Sequence, residues 1–238
     1  MSEAEDCAAL LVRSAFFGRV LAELSGEDIR TIAQGFRSVR YGAGQEIFSR
    51  GDQSDFLLLI AEGRVRLSVM SDEGRELSVR HAVAGDVLGE IAALDGRPRT
   101  ASASALAETQ AFALHRAEFR AMIGRFPALS LGIIEFLCGR LRETTDQLES
   151  IALHPIEARL ARFLLVALGG RKAEPGKRVP LELGFSQSEL AQLLGASRPK
   201  VNVALRLLEE LGALRRTSDR LFCDPVLLAQ TARLADDP

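Results

Sequence analysis

The sequence is short of the residues that build metal and redox centres. It holds only three cysteines, Cys7, Cys138 and Cys223, and three histidines, His81, His115 and His154. Both sets are scattered and fall outside any metal-ligand spacing, so no zinc site, disulfide framework or haem ligation is indicated. No histidine joins an acid and a nucleophile in a triad pattern, which argues against an enzyme. A secretion signal is also missing, because residues 1–30 start acidic and carry Glu23, Glu27 and Asp28 in place of a basic head and an apolar body. No run approaches the roughly eighteen apolar residues of a membrane span. These absences predict a cytoplasmic protein with reduced thiols, no metal and no membrane partner.

What is present is enough apolar material for ordinary cores. With 238 residues, 47% hydrophobic and 26% charged, the chain is long enough for two domains. The net charge of −2 is unevenly divided. Residues 155–238 carry 13 Lys/Arg against 10 Asp/Glu, a balance of +3, which leaves −5 for residues 1–154. The asymmetry permits a phosphate-binding face in the last third of the chain.

Three stretches with different periods follow one another, and together they predict an α+β fold. Between Phe36 and His115 short apolar runs are broken by turn residues at Gly42-Ala43-Gly44, Gly51-Asp52, Glu62-Gly63, Asp72-Glu73-Gly74 and Ala84-Gly85-Asp86. Val65, Leu67 and Val69 alternate with Arg66 and Ser68, the period of a half-buried strand, so an antiparallel barrel or sandwich is expected. From Pro127 to about Leu153 the period becomes helical. Ile134, Leu141 and Leu148 form one heptad line, and Leu137, Thr144 and Ile151 another. Such a helix is about 40 Å long and too long for one small barrel to cover, so its seam is expected to meet a second copy. Pro155 marks the break to the next helix.

The last stretch contains FSQSELAQLLGASRPKVNVALRLLEELGAL. Ala191, Gly195, Val201 and Ala204 stand where a helix-turn-helix needs a small contact residue, a turn glycine and two apolar anchors. Ser197, ahead of Arg198-Pro199, is placed to cap the second helix.

The segment GEIAALDGRPRTASA, beginning at Gly89, is the most chemically loaded. A bound phosphate needs backbone N–H groups in a tight turn, a fixed cation and a hydroxyl donor, and Gly89, Arg99 and Thr100 can supply them. Glu90 is unfavourable beside a phosphate unless it accepts from a sugar hydroxyl, which points to a nucleotide. On composition alone a surface loop with incidental charges accounts for the segment equally well.

The pattern G-E-I-A-A-L followed by P-R-T-A resembles the phosphate-binding cassette of cyclic-nucleotide-binding domains. Gly51-Asp52, Asp55 and LLLIAEGRVRL resemble the first strands of the same β-roll. With the long helix and the terminal helix-turn-helix, nearly the whole chain is similar to the catabolite activator protein/FNR (Crp/Fnr) family of transcription regulators. The resemblance implies a cyclic-nucleotide-binding β-roll with N-terminal helices over 1–126, a long dimerisation helix and hinge over 127–154, and a winged helix-turn-helix over 155–238. It implies that Gly89 and Glu90 hold the ribose hydroxyl, that Arg99 and Thr100 take the cyclic phosphate, and that Ile91 and Ala92 add backbone contacts. Counting back from Arg159 places Thr144 and Thr145 at the purine, with Arg140 bracing Glu90 or the ribose. It assigns DNA contacts to Gln187, Ser188, Ser197, Arg198, Pro199, Lys200, Asn202 and Arg216, with Lys200, Arg215, Arg216 and Arg220 as phosphate anchors. The implied partners are a second copy of the chain, a near-palindromic DNA duplex, a cyclic nucleotide effector (cAMP or cGMP) and RNA polymerase.

The sequence also departs from the family pattern. Val203 stands where an arginine is common, so the operator is expected to differ from the usual half-site. The cysteine cluster of iron–sulfur sensing is missing. Two other readings within the same resemblance are a regulator that binds DNA without ligand and a cyclic-nucleotide-binding regulatory subunit. A hydrolase using Glu90 and Asp95 lacks a metal cluster or an activated nucleophile.

Overall fold

The computed structural model describes residues 3–21, 24–53, 55–74, 76–169, 177–182, 186–217 and 220–233. Most of the polar stretch RKAEPGKRVP, residues 171–180, lies outside the described residues. The chain divides into two compact units, Met1–Arg142 and Glu143–Pro238. The division falls inside the long helix.

The first unit opens with three helices, α1 (Glu3–Arg13), α2 (Gly18–Leu21) and α3 (Gly26–Gln34). Eight strands follow: β1 (Arg37–Tyr41), β2 (Glu46–Phe48), β3 (Phe56–Glu62), β4 (Val65–Met70), β5 (Glu76–Ala82), β6 (Val87–Leu88), then a short α4 (Glu90–Asp95), β7 (Ser102–Ala105) and β8 (Thr109–His115). They form two antiparallel four-stranded sheets in the orders β1-β8-β3-β6 and β2-β7-β4-β5. The expected strand region is therefore a two-sheet β-roll.

Strand β3 shows why the helices and the roll share a wall. Leu57, Leu58, Leu59 and Ile60 are all buried, although side chains in a strand alternate faces. Leu57 and Leu59 enter the core built with Leu11, Phe17, Phe36 and Phe119, whereas Leu58 and Ile60 enter the interior of the roll with Phe48, Val65 and Leu88. A run of apolar residues is what a strand covered on both faces requires.

The burial expected to alternate along β4 has one exception, Ser68. Val65 is buried, but Leu67 is half-buried and Ser68 is buried. The register slips between Leu67, opposite Arg80, and Ser68, opposite Ser78, so Val79 is an extra residue on β5. The bulge lies on β5, and β4 keeps its register with β7 from Val65 to Ser68, so Val65 and Leu67 both pack on the interior of the roll as the alternation requires.

After α5 (Arg116–Arg125) comes the long helix α6 (Ala128–Leu153) of 26 residues. Its first turns bury Leu129 and Ile133, and Phe136 meets Phe16 edge to face at 4.9 Å. The second unit continues from this helix with α7 (Ile156–Ala167), β9 (Val179–Leu181), α8 (Gln187–Leu193), α9 (Arg198–Glu210), β10 (Leu214–Arg216), β11 (Leu221–Cys223) and α10 (Pro225–Arg233). Pro155 stands at the N-cap of α7, where its missing N–H costs nothing. The three short strands make a sheet in the order β10-β11-β9 beside the helix pair α8–α9, a winged helix-turn-helix.

Candidate functional site

Arg99 is the centre of the cassette. It is only 4% exposed, and its guanidinium donates to the carbonyls of Gly89 at 3.1 Å and Phe56 at 2.8 Å. The ring of Phe48 lies 4.1 Å from its Cζ and that of Phe56 4.6 Å, so two aromatic faces flank the cation. Its main chain is tied to the Gly51–Asp52 turn, with Gly51 N–H donating to Arg99 O and Arg99 N–H to Asp52 O, both at 2.9 Å. Backbone and side chain are thus each held by two hydrogen bonds. Nε is buried and has no hydrogen-bond partner among the described residues. Burial pulls its pKa below the ordinary value, opposed by Asp55, Glu90 and Asp52. A largely desolvated cation with a further donor has the chemistry to pair with an anion.

Gly89 precedes α4 with φ +79°, and a Cβ there would collide with the Arg99 guanidinium. Both the backbone sign and the space demand glycine. Glu90 is half-buried, Ala92 is buried, and Ile91 and Thr100 are exposed. The structure thus brings Gly89, Glu90 and Arg99 together, with Ile91, Ala92 and Thr100 flanking them on the same β6–α4–β7 connection. Burial raises the Glu90 pKa above its ordinary value; its own backbone bond and Arg99 oppose the shift, and Asp86 adds to it. Such a carboxyl holds its proton more tightly folded than unfolded. It costs no stability below the unfolded value, and the cost grows as pH rises and is complete above the folded value. Glu90→Gln is therefore expected to raise the melting temperature of the ligand-free protein at neutral pH and to leave it unchanged at acidic pH where both side chains are neutral. Melts at the two pH values check this.

Arg140 contacts Asp86 at 3.5 Å and lies over the Phe136 ring, a pairing that the sequence reading, which set it against Glu90 or the ribose, did not include. Thr144 and Thr145 are exposed on α6, on the far side of the division between the units. Along the helix Ile134, Leu141 and Leu148 are 55%, 68% and 66% exposed, far above what buried aliphatics show. Leu131, Cys138 and Thr145 are exposed as well and complete a line with alternating spacings of three and four. The second expected heptad line does not match this pattern. Leu137 packs on the chain's own core because the first turns of α6 lean on the roll.

In the second unit Ala191, Val201 and Ala204 are buried, and Gly195 takes φ +59° in the turn, all as the spacing predicts. Ser197 has extended N-cap geometry but makes no side-chain capping bond, so that expectation fails. Pro199 near the start of α9 has no N–H to offer it. The cap that does form is the box at α8, where Ser186 accepts from Glu189 N–H at 3.2 Å and Glu189 accepts from Ser186 N–H at 2.7 Å. Ser-x-x-Glu was legible in the sequence and was missed. Gln187, Ser188, Ser197, Arg198, Pro199, Lys200 and Val203 are exposed, while Asn202 is half-buried. Arg216 is engaged by Glu209 in a two-pronged pair at 2.6 and 2.8 Å, which clamps the wing strand to α9. That bond holds the Glu209 carboxyl below its ordinary pKa. Arg215 is exposed, and Arg220 pairs with Glu182 at 3.0 Å.

Residues 38–126 match the family model of the cyclic nucleotide-binding domain, and residues 158–231 match that of the Crp-like helix-turn-helix domain. The chain belongs to the Crp/Fnr family. It is a DNA-binding transcription regulator with a cyclic-nucleotide-binding domain, and not an enzyme. It is 30% identical over 87% of its length to the CRP-like cAMP-activated global transcriptional regulator of Mycobacterium tuberculosis, covering 90% of that protein. It is 32% identical over 81% of its length to the cyclic AMP receptor protein of Thermus thermophilus, covering 86% of it. The crystal structure of the Thermus thermophilus catabolite activator protein superimposes with a TM-score of 0.52 at 29% identity, covering 91% of this chain and 99% of that one. Among the described residues no helix by itself is long and apolar enough to cross a membrane, and no three His, Cys, Asp or Glu side chains gather as a metal site.

Proposed function

We propose that this Crp/Fnr regulator acts as a homodimer whose operator binding is switched by cyclic AMP seated on Arg99. The observation that carries the reading is the buried guanidinium whose Nε has no hydrogen-bond partner among the described residues, framed by a glycine whose Cβ would strike it. Cyclic AMP is favoured because the relatives similar over most of the chain are named for it. In this reading Gly89 and Glu90 hold the ribose, Arg99 and Thr100 the cyclic phosphate, Ile91 and Ala92 add backbone contacts, and Thr144 and Thr145 meet the purine. Glu90→Gln then weakens cyclic AMP about tenfold or more, since a bond to a charged acceptor is lost. The variant gains stability while losing affinity, a combination that simple damage to the fold does not produce.

The exposed line on α6 supports pairing with a second copy, because an aliphatic stripe of this length in water is costly. A ligand shifts the dimer only if it binds one arrangement better. The purine-facing threonines lie on the helix that leads through Leu153-His154-Pro155 into the DNA-binding unit, so α6 is the lever. In the active arrangement the two copies of α9 sit about 34 Å apart, one turn of duplex. Arg198 reads a guanine edge, and Lys200 and Arg215 take phosphates along with the Ser197 hydroxyl. Arg216 serves the interface by holding the wing to α9. RNA polymerase is the expected downstream partner.

Binding-site selection followed by fluorescence anisotropy tests this. Cyclic AMP is expected to tighten operator binding, and Arg198→Ala to remove about 1–3 kcal/mol of discrimination at one base position. Lys200→Ala weakens all sequences alike. Equal affinity with and without cyclic AMP rejects gating. Calorimetry with cyclic AMP and cyclic GMP separates the two effectors.

A further inference from the structure

Asp86 lies in the turn between β5 and β6, three residues ahead of Gly89 and outside the cassette motif. Its carboxylate is pinned, because Val83 N–H donates to Oδ2 at 2.9 Å. That leaves Oδ1 facing two guanidiniums, Arg80 at 3.4 Å and Arg140 at 3.5 Å. Arg80 is fixed in turn by a bond to Val87 O at 3.2 Å. Arg140 comes from α6 and its Cζ lies 4.8 Å from the Phe136 ring centre, so the one guanidinium contacts both the carboxylate and the ring. The three charged side chains are 20–25% exposed, sheltered enough for the pairing to resist screening.

We propose that Asp86 is a positioning residue of the nucleotide site, holding Arg140 of the long helix beside the cassette so that the helix is tied to the site before ligand arrives. The proposal rests on the reading of the cassette as a cyclic AMP site. A free arginine side chain loses much rotamer freedom when it is fixed on a ligand, and fixing it beforehand removes that cost from binding. Asp86 does not compete with the ligand. A guanidinium has five donors, enough for Asp86 Oδ1 and a ligand oxygen together.

The test uses the full chain with Asp86→Asn, which keeps an Oδ to accept from Val83 N–H and so spares the turn. Titration with cyclic AMP should show a loss of affinity of about three- to thirtyfold. The same substitution in an Arg140→Gln background should cost nothing further. Equal losses in both backgrounds overturn the proposal, since Asp86 would then act independently of Arg140. Amide hydrogen exchange of the ligand-free proteins is the second readout, with residues 136–142 expected to exchange faster in Asp86→Asn. Unchanged exchange there overturns the tether. If the unsubstituted chain fails to bind cyclic AMP, the reading of the cassette falls, and the exchange measurement still decides whether Asp86 holds the helix.

Discussion

Arg99→Ala lowers cyclic-nucleotide affinity by about one to two decades, the value of a charge-assisted contact to an anion. The loss has three sources that can be separated. The cation disappears, the carbonyls of Gly89 and Phe56 lose their donors, and the rings of Phe48 and Phe56 lose the group between them. Arg99→Lys restores the charge but not the planar fork, so it recovers little affinity. Gly89→Ala gives the same phenotype with the charge retained, because its Cβ strikes the guanidinium and its φ of +79° is unfavourable for alanine. Calorimetric titration with cyclic AMP measures all three variants, and circular dichroism verifies that each is folded. Undiminished affinity in folded Arg99→Ala overturns the assignment.

In the proposed dimer, Leu141→Glu is expected to yield a monomer and to remove roughly two to four decades of operator affinity, the avidity contributed by a second half-site. Leu141 is 68% exposed in the single chain and lies in line with Ile134 and Leu148. The substitution therefore leaves each unit's core untouched, and the far-ultraviolet dichroism of the variant matches that of the parent. In the proposed seam two glutamates would face each other across the helix pair and repel. Light scattering reads the mass and anisotropy the DNA affinity. A Leu141→Glu protein that remains dimeric at micromolar concentration overturns the seam. Leu137→Glu is a useful contrast, since Leu137 packs on the chain's own core and its loss destabilises the first unit.

The structure sorts residues that look equivalent in the sequence. Arg215 and Arg216 are neighbours of the same charge, yet one is exposed and the other is clamped by Glu209. Cys138 is exposed, whereas burial pushes the thiols of Cys7 and Cys223 up to about 12 and about 11. Thr144 and Thr145 are adjacent, but Thr145 is the one in line with Leu141 and Leu148.

The sequence by itself determined the features that arise from short-range signals. The helical period of α6, the break at Pro155, the turn at Gly195 with its anchors Ala191, Val201 and Ala204, and the order of Gly89, Glu90 and Arg99 in one loop all depend on residues a few places apart. Their physical causes are the repeat of the helix, the fixed φ of proline and the freedom of glycine at positive φ. Only the tertiary structure decided what depends on register and on elements distant along the chain. The extra residue Val79 on β5 shifted the pairing of β5 with β4, because a bulge sets two residues of one strand opposite one of the other. Phe48 and Phe56 came to flank Arg99 from strands some forty to fifty residues earlier. Asp86 took Arg140, and Glu209 took Arg216, since a guanidinium goes to whichever carboxylate the packed backbone brings within reach, and no local pattern encodes that choice.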